Sequence, residues 1–374
     1  MNRYVVVNGA KKQLSVGKKI SRKQIVAAVA AALLVVGCVA IVLWIAPVLP
    51  KRPTDQVAPG YKGVVELWNV ESFEGGSGSR SGWITSVASK YEQTQKGLFF
   101  HVTQMTAEQM SAKLADGQMF DMVCFSRGVG NRLLSLLSPL STSAEIADNL
   151  LISAQIGGKT YANPLFKGGY CLFARQSQLS EEQLPQKCLQ ATYTRKLGKN
   201  TVELKPLVCG FAEFNSPLSA LAMFGAKGNA DVNYNLSQYR AYERFVDNKT
   251  AVCLLGTQRD LYRLFKREEN GKIESLAFAP VKGYTDIVQY IGVSSDSGEK
   301  MSACKQFVEH LLSVEVQQSL VKISMFSVLS DGIYSDGRYA AMEQALVGAY
   351  VPNVFGDEKS LAEQRNAALT TLRS

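Results

Sequence analysis

Histidine is nearly absent from this chain: His101 and His310 are the only two in 374 residues. His101 falls within an apolar run and His310 on an amphipathic stretch, so neither reads as a positioned base. No G-x-S-x-G and no H-E-x-x-H occurs, which removes the common serine-hydrolase and zinc-protease arrangements. G-x-G-x-x-G and G-x-x-x-x-G-K-[ST] are missing too, so a nucleotide cradle is not expected. The seven cysteines form no C-x-x-C, and none sits at metal-ligand spacing from a histidine. No metal and no cofactor is therefore expected. Cys124, Cys171 and Cys253 lie in apolar runs and read as small hydrophobes. A disulfide involving Cys188 or Cys209 stays open. The acidic pairs Glu181-Glu182 and Glu268-Glu269 read as solvated turns. A glycosidase built from scattered carboxylates is thereby disfavoured, and the chain is not expected to be an enzyme.

Acid is wholly absent before Asp55, whereas seven Lys and Arg residues precede position 24. They flank an uncharged apolar run, 25–46, bounded by Lys23 and by Pro47, Pro50 and Lys51. At about 1.5 Å per residue this run spans roughly 30 Å, a bilayer core. The basic flank stays in the cytoplasm, so the bulk of the chain is expected outside the cell membrane. The run exceeds the usual ~7–15-residue core of a signal peptide, which favours an uncleaved single-span anchor. A lipoprotein signal ending at Cys38 and a plain cleaved signal are the alternatives. Residues 1–24 are then a cytoplasmic basic segment, 25–46 the anchor or signal, and 47–62 a tether. The formal net charge is +9, but the 34 cations after the run exceed the 32 acids by only two. The basic balance is a topology signal, and no nucleic-acid partner is expected.

Beyond the tether the pattern turns regular. Val64–Trp68 is an apolar run, followed by a polar, Gly/Ser-rich turn up to Gly82. Trp83–Gln95 has helical period, and Leu98–Val102 reads as a second strand. Thr106 and Gln109 form a capping box opening a helix to Ala115. Asp121–Phe125 is a third strand, ending in Ser126-Arg127-Gly128. Strand, helix, strand, helix, strand at this spacing predicts a βαβαβ unit with a parallel sheet. Ligands in such sheets sit beyond the carboxyl ends of the strands, where both Ser/Gly-rich turns fall.

The remaining 300-odd residues exceed what one core usually supports, so two lobes are expected. The first comprises 63–162, the second 163–278, and 279–374 returns to the first and adds C-terminal helices. Asn163–Tyr170, with Pro164, Gly168 and Gly169, marks one crossing. Pro280 and Gly283 mark another. Helices are expected over 217–224, 237–246, 261–266 and 297–312, and buried strands over 250–255 and 287–293.

Trp68 on the first strand, the Phe73-Glu74-Gly75-Gly76 turn, Met105–Gln109 and Asp121–Ser126 resemble an extracellular solute-binding protein of an ABC importer, of the family 1, sugar-binding-like group. Gly168-Gly169-Tyr170 and Leu255–Asp260 resemble its second-lobe elements. The likeness spans about residues 60–370. It implies an α/β, two-lobed periplasmic-binding-protein-like fold (class II) with a hinge, here preceded by one transmembrane helix. It also implies a small solute, most simply a sugar or oligosaccharide, and ABC permease subunits as partners. A membrane-anchored sensor or protein-interaction module on the same fold is the alternative.

The candidate ligand-binding residues are Trp68, Glu74, Gly75, Gly76, Ser77, Ser126, Arg127, Tyr170, Gln258 and Arg259. The backbone N–H groups and serines of 75–82 suit an anion or a sugar hydroxyl, or equally a helix-capping turn. Arg127 and Arg259 suit a carboxylate or phosphate; the plainer readings are a solvated charge and an ion pair with Asp260. Trp68 and Tyr170 could stack on a sugar face or pack in a core.

Overall fold

The computed structural model describes residues 60–190, 193–210, 214–228, 236–247, 249–294, 298–330 and 332–374, and the strands Tyr4–Val7 and Ala10–Gln13. The chain divides into Met1–Val57 and Ala58–Ser374. In the first unit the two strands pair antiparallel. The apolar run 25–46 and Cys38 lie outside the described residues. Among the described residues no helix is long and apolar enough to cross a membrane.

The second unit contains two five-stranded sheets. The first begins with strand β1 (Gly63–Val70), helix α1 (Arg80–Glu92), β2 (Leu98–Met105), helix α2 (Ala107–Ala115) and β3 (Met122–Phe125). β1 runs parallel to both β2 and β3, as the βαβαβ pattern requires. The capping box at Thr106 is formed in both directions: Thr106 Oγ1 accepts from Gln109 N–H, and Gln109 Oε1 accepts from Thr106 N–H. β4 (Asn163–Lys167) follows a hairpin whose turn, Gly157-Gly158, takes positive φ at both residues, a conformation glycine adopts without cost.

The second sheet holds β5 (Tyr170–Arg175), the hairpin β6 (Tyr193–Leu197) and β7 (Asn200–Cys209), then β8 (Ala251–Thr257) and β9 (Leu276–Pro280). β8 pairs parallel with β7 and antiparallel with β5. Helices α3 (Pro217–Met223), α4 (Gln238–Val246) and α5 (Gln258–Glu269) belong to this half of the chain. α5 starts three residues earlier than its apolar period suggests. Thr257 and Asp260 form a second capping box that stabilises the extra turn, and Arg259 therefore sits in a helical first turn. β10 (Val288–Val293) then returns to the first sheet, antiparallel to β3 and β4, giving the order β2-β1-β3-β10-β4. α6 (Glu299–Leu311), α7 (Gly337–Ala345) and α8 (Glu358–Arg373) complete the chain.

β5 shows why the second sheet is covered on both faces. Leu172 and Ala174 join one apolar cluster and Cys171 and Phe173 the other, as the two-residue period dictates. Phe173 is fully buried, which contributes about 1.5–3 kcal/mol relative to exposure. The same logic holds for α6, where Ala303, Cys304, Phe307, Val308 and Leu311 form its buried stripe. The six described cysteines are free and buried. Burial pushes the thiols of Cys188, Cys209 and Cys304 up to about 12, so they are inert hydrophobes and not nucleophiles.

Candidate functional site between the two sheets

The carboxyl ends of β1, β2 and β3 share one edge of the first sheet, because the three strands are parallel. The start of β10 and the end of β4 join that edge through Val288 opposite Lys167. In the second sheet Tyr170 lies opposite Thr257, and Cys171 opposite Pro280, so the ends of β8 and β9 meet the start of β5. β7 is parallel to β8 and ends at the same edge. The chain passes from one edge to the other at Gly168-Gly169 and at residues 281–287. The loops from these two edges form the seam.

Two charged clusters occupy it. One is buried and centred on Asp286. Tyr170 donates its hydroxyl to Asp286 Oδ1 (2.6 Å). Tyr284 Oη and the Ser216 backbone N–H both donate to Oδ2, at 2.9 and 2.6 Å. Asn215 Nδ2 donates to the Asp286 carbonyl, and Arg365 of α8 donates to the Asn215 carbonyl. Burial, reinforced by the Asp286 charge, pushes the Tyr170 and Tyr284 hydroxyls well above their ordinary values, so both are neutral donors. The other cluster is half-exposed. Glu74 lies 3.8 Å from Arg259 and 3.7 Å from Arg263.

The candidate residues separate by burial. Trp68 is 3% exposed, its ring 5.3 Å from that of Phe120, with the Lys113 ammonium over it. It packs within the first core. Tyr170 is equally buried and holds Asp286. Gly75 and Gly76 are close-approach positions. A Cβ on Gly76 would lie 1.7 Å from the Ile323 carbonyl oxygen, and one on Gly75 would lie 2.8 Å from the Arg80 side chain. Gly76 N–H donates to Met325 Sδ, which also receives Gln258 Nε2; Gln258 Oε1 in turn accepts from Gly169 N–H. The Met325 sulfur thus links the 75–82 loop to α5. Ser77 hydrogen-bonds to Ser324, and Ser126 contacts Ser72 through their hydroxyls. Ser79 caps α1 by accepting from Gly82 N–H. Arg259 pairs with Glu74 in place of Asp260, so two candidate ligand residues bind each other. Arg127 is 6% exposed, and its Nε and Nη1 have no hydrogen-bond partner.

Sequence reasoning did not single out Asp286, Tyr284, Asn215, Arg365 or Arg80. Tyr284-Thr285-Asp286 between two apolar strands was the available signal: a polar triplet at a crossing. Asn215 and Arg365 carried none, since their role depends on chain segments 150 residues apart. No group of three or more His, Cys, Asp or Glu able to hold a metal occurs among the described residues. A cleft of about 520 Å³ on the second half is lined by Arg175, Asp247, Lys249, Arg267, Lys272 and Glu274 among others. None of the ten candidate residues borders it.

No family model matches the sequence, and no curated protein matches it. Solved structures do. A maltodextrin binding protein of L. casei BL23, solved without ligand, superposes with a TM-score of 0.56 over 83% of this chain and 94% of its own, at 12% identity. The fold is the two-lobed, mixed α/β fold of maltose-binding proteins. The GacH receptor of Streptomyces glaucescens GLA.O, solved unliganded and with acarbose, gives 0.54 over 83% and 93% at 13% identity. The maltose/maltodextrin-binding domain from Bdellovibrio bacteriovorus, bound to maltotriose, gives 0.51 over 83% and 94% at 12% identity. The two sheets are accordingly the two lobes, and the loops between them line the interlobe seam.

Proposed function

We propose that this protein captures a small carbohydrate solute between its two lobes and hands it, chemically unchanged, to an ABC permease. The observation that carries this reading is the extent of the structural match. Nearly the whole length of three saccharide-binding chains is reproduced, with strand carboxyl ends from both lobes converging on one seam. Converging strand ends are where open α/β sheets bind ligands. In this reading the apolar run 25–46 holds the protein at the cell membrane, with the lobes outside. The Met325 bridge and the Glu74 ion pairs join the lobes when they are closed, and the chain crosses between them at Gly168-Gly169.

The test is a thermal-shift and native mass spectrometry screen of the full-length chain in detergent, against mono- and oligosaccharides. A melting shift of several degrees with one class, or a co-purified adduct of saccharide mass, is the expected result. Absence of both across the whole panel would remove the solute-capture reading.

A further inference from the structure

Arg127 carries a charge that the fold does not neutralise. It follows the carboxyl end of β3, a central strand of the first lobe, and is 6% exposed. Nε and Nη1 reach no acceptor, and no carboxylate lies within 4 Å of it among the described residues. A buried cation without a partner is among the costliest features a protein can hold. Asp286 makes no ion pair with it, and its two oxygens accept instead from Tyr170, Tyr284 and Ser216. Nearby stands a second guanidinium, Arg365. Burial lowers its pKa, Asp286 opposes that, and Arg127 lowers it further, as expected of cations close enough to repel. The seam therefore brings two guanidiniums near one another, and Arg127 is the one whose Nε and Nη1 meet no acceptor.

The neighbouring lobe supplies a buried acceptor, the Asn215 side-chain oxygen. Phe214 presses on the backbone of Gly128, where a Cβ would come within 2.1 Å of its ring. That contact brings Asn215 to the same seam. Asn215 spends Nδ2 on the Asp286 carbonyl, and its Oδ1 is buried without a donor. A molecule that satisfies both lobes needs an anionic acceptor for Arg127 and a hydroxyl donor for Asn215. Arginine matches planar carboxylates and phosphate oxygens better than it matches a neutral hydroxyl.

Resting on the solute-capture reading, we infer that the solute is an anionic saccharide, a uronate or a sugar phosphate. Arg127 holds its charged group and Asn215 accepts from one of its hydroxyls. Closing the lobes on such a molecule gives the Arg127 guanidinium a counter-charge, so its affinity rests on an anion as well as on the sugar ring.

Calorimetric titration of the full-length chain in detergent tests this with matched sets: glucose, glucuronate and glucose 6-phosphate, and galactobiose beside digalacturonate. At least one anionic member should bind tenfold or more tightly than its neutral counterpart, and which one binds distinguishes carboxylate from phosphate. Arg127→Gln should cut that preference to under threefold. Asn215→Asp, a nearly isosteric change that sets a carboxylate at the seam, should abolish anion binding and so guards against a misfolded Arg127 variant. A neutral sugar binding as tightly as every anionic one would overturn the inference and leave solute capture standing. Preference surviving Arg127→Gln in a folded variant would overturn the assignment to Arg127. No binding by any member of either set, with a neutral saccharide bound in the wider screen, would overturn the inference and leave solute capture standing.

Discussion

Arg80 and Arg127 are both buried arginines of the first lobe, 5% and 6% exposed, and they are held in opposite ways. Arg80 opens α1. It donates to Gln289 Oε1 and to the Phe73 carbonyl, lies 3.7 Å from Glu71, and stacks its guanidinium 4.3 Å over the Phe73 ring. Burial lowers its pKa and Glu71 partly restores it, yet the charge is fully embedded in partners. Arg127 has the same burial and leaves two of its three nitrogens idle. The lesson is that burial of a charge does not reveal its role; what meets it does. A charge met by its own chain fixes the fold, and the unmet one is the charge on which the proposed anion site rests.

The largest expected effect that sharpens this contrast is at Arg80. Arg80→Met should cost about 3–5 kcal/mol, because Gln289, the Phe73 carbonyl and Glu71 lose a buried partner together. Denaturant unfolding measures it, and a loss under 1 kcal/mol would erase the distinction.

Asp260 is the intermediate case. Its Oδ2 accepts from Thr257 N–H while Oδ1 has only Arg263 at 3.5 Å. Burial raises its pKa from 3.8 to about 6, more than the Thr257 bond and Arg263 lower it. A raised folded-state pKa gives stability that is complete below the unfolded value and is lost as pH rises through about 6. Asp260→Asn should remove up to about 3 kcal/mol of that dependence between pH 4 and 6. Melting curves of both proteins across that range would show parallel profiles if the carboxyl were in fact solvated.

Glu74 gives a smaller effect, since its pairs with Arg259 and Arg263 are about a third exposed. Glu74→Gln should cost about 0.2–1 kcal/mol and the cost should fade with added salt. A salt-independent loss would mark the pair as buried and structural.

Last comes Arg127→Met, where no loss is expected. Removing an unsatisfied buried charge in favour of a similar apolar volume should leave the ligand-free melting temperature unchanged or raise it. A loss as large as that of Arg80→Met would place Arg127 in the fold's own framework and end the comparison.

Much of this architecture was legible beforehand where the physics is local. Strand runs at Val64–Trp68, Leu98–Val102 and Asp121–Phe125, the capping box at Thr106, proline at the start of α3 and the two-Gly turn at 157–158 all depend on residues within one turn of each other. The site was legible only as a location. That Ser126, Arg127, Gln258 and Arg259 follow strand ends could be read from the order of elements. That Arg259 would meet Glu74, that Trp68 would face Phe120, or that Tyr170 would hold Asp286 could not, because each pairing joins segments 50 or more residues apart.

Local sequence fixes the period of each element and the apolar stripe each helix buries, through the 3.6- and 2-residue repeats, and the capping side chain that starts it. Which charges are satisfied depends on the packing of distant segments. Two arginines with similar neighbours in the chain diverge because one folds back onto its own lobe and the other is carried to a seam. The supply of partners there is set by where distant loops come to rest.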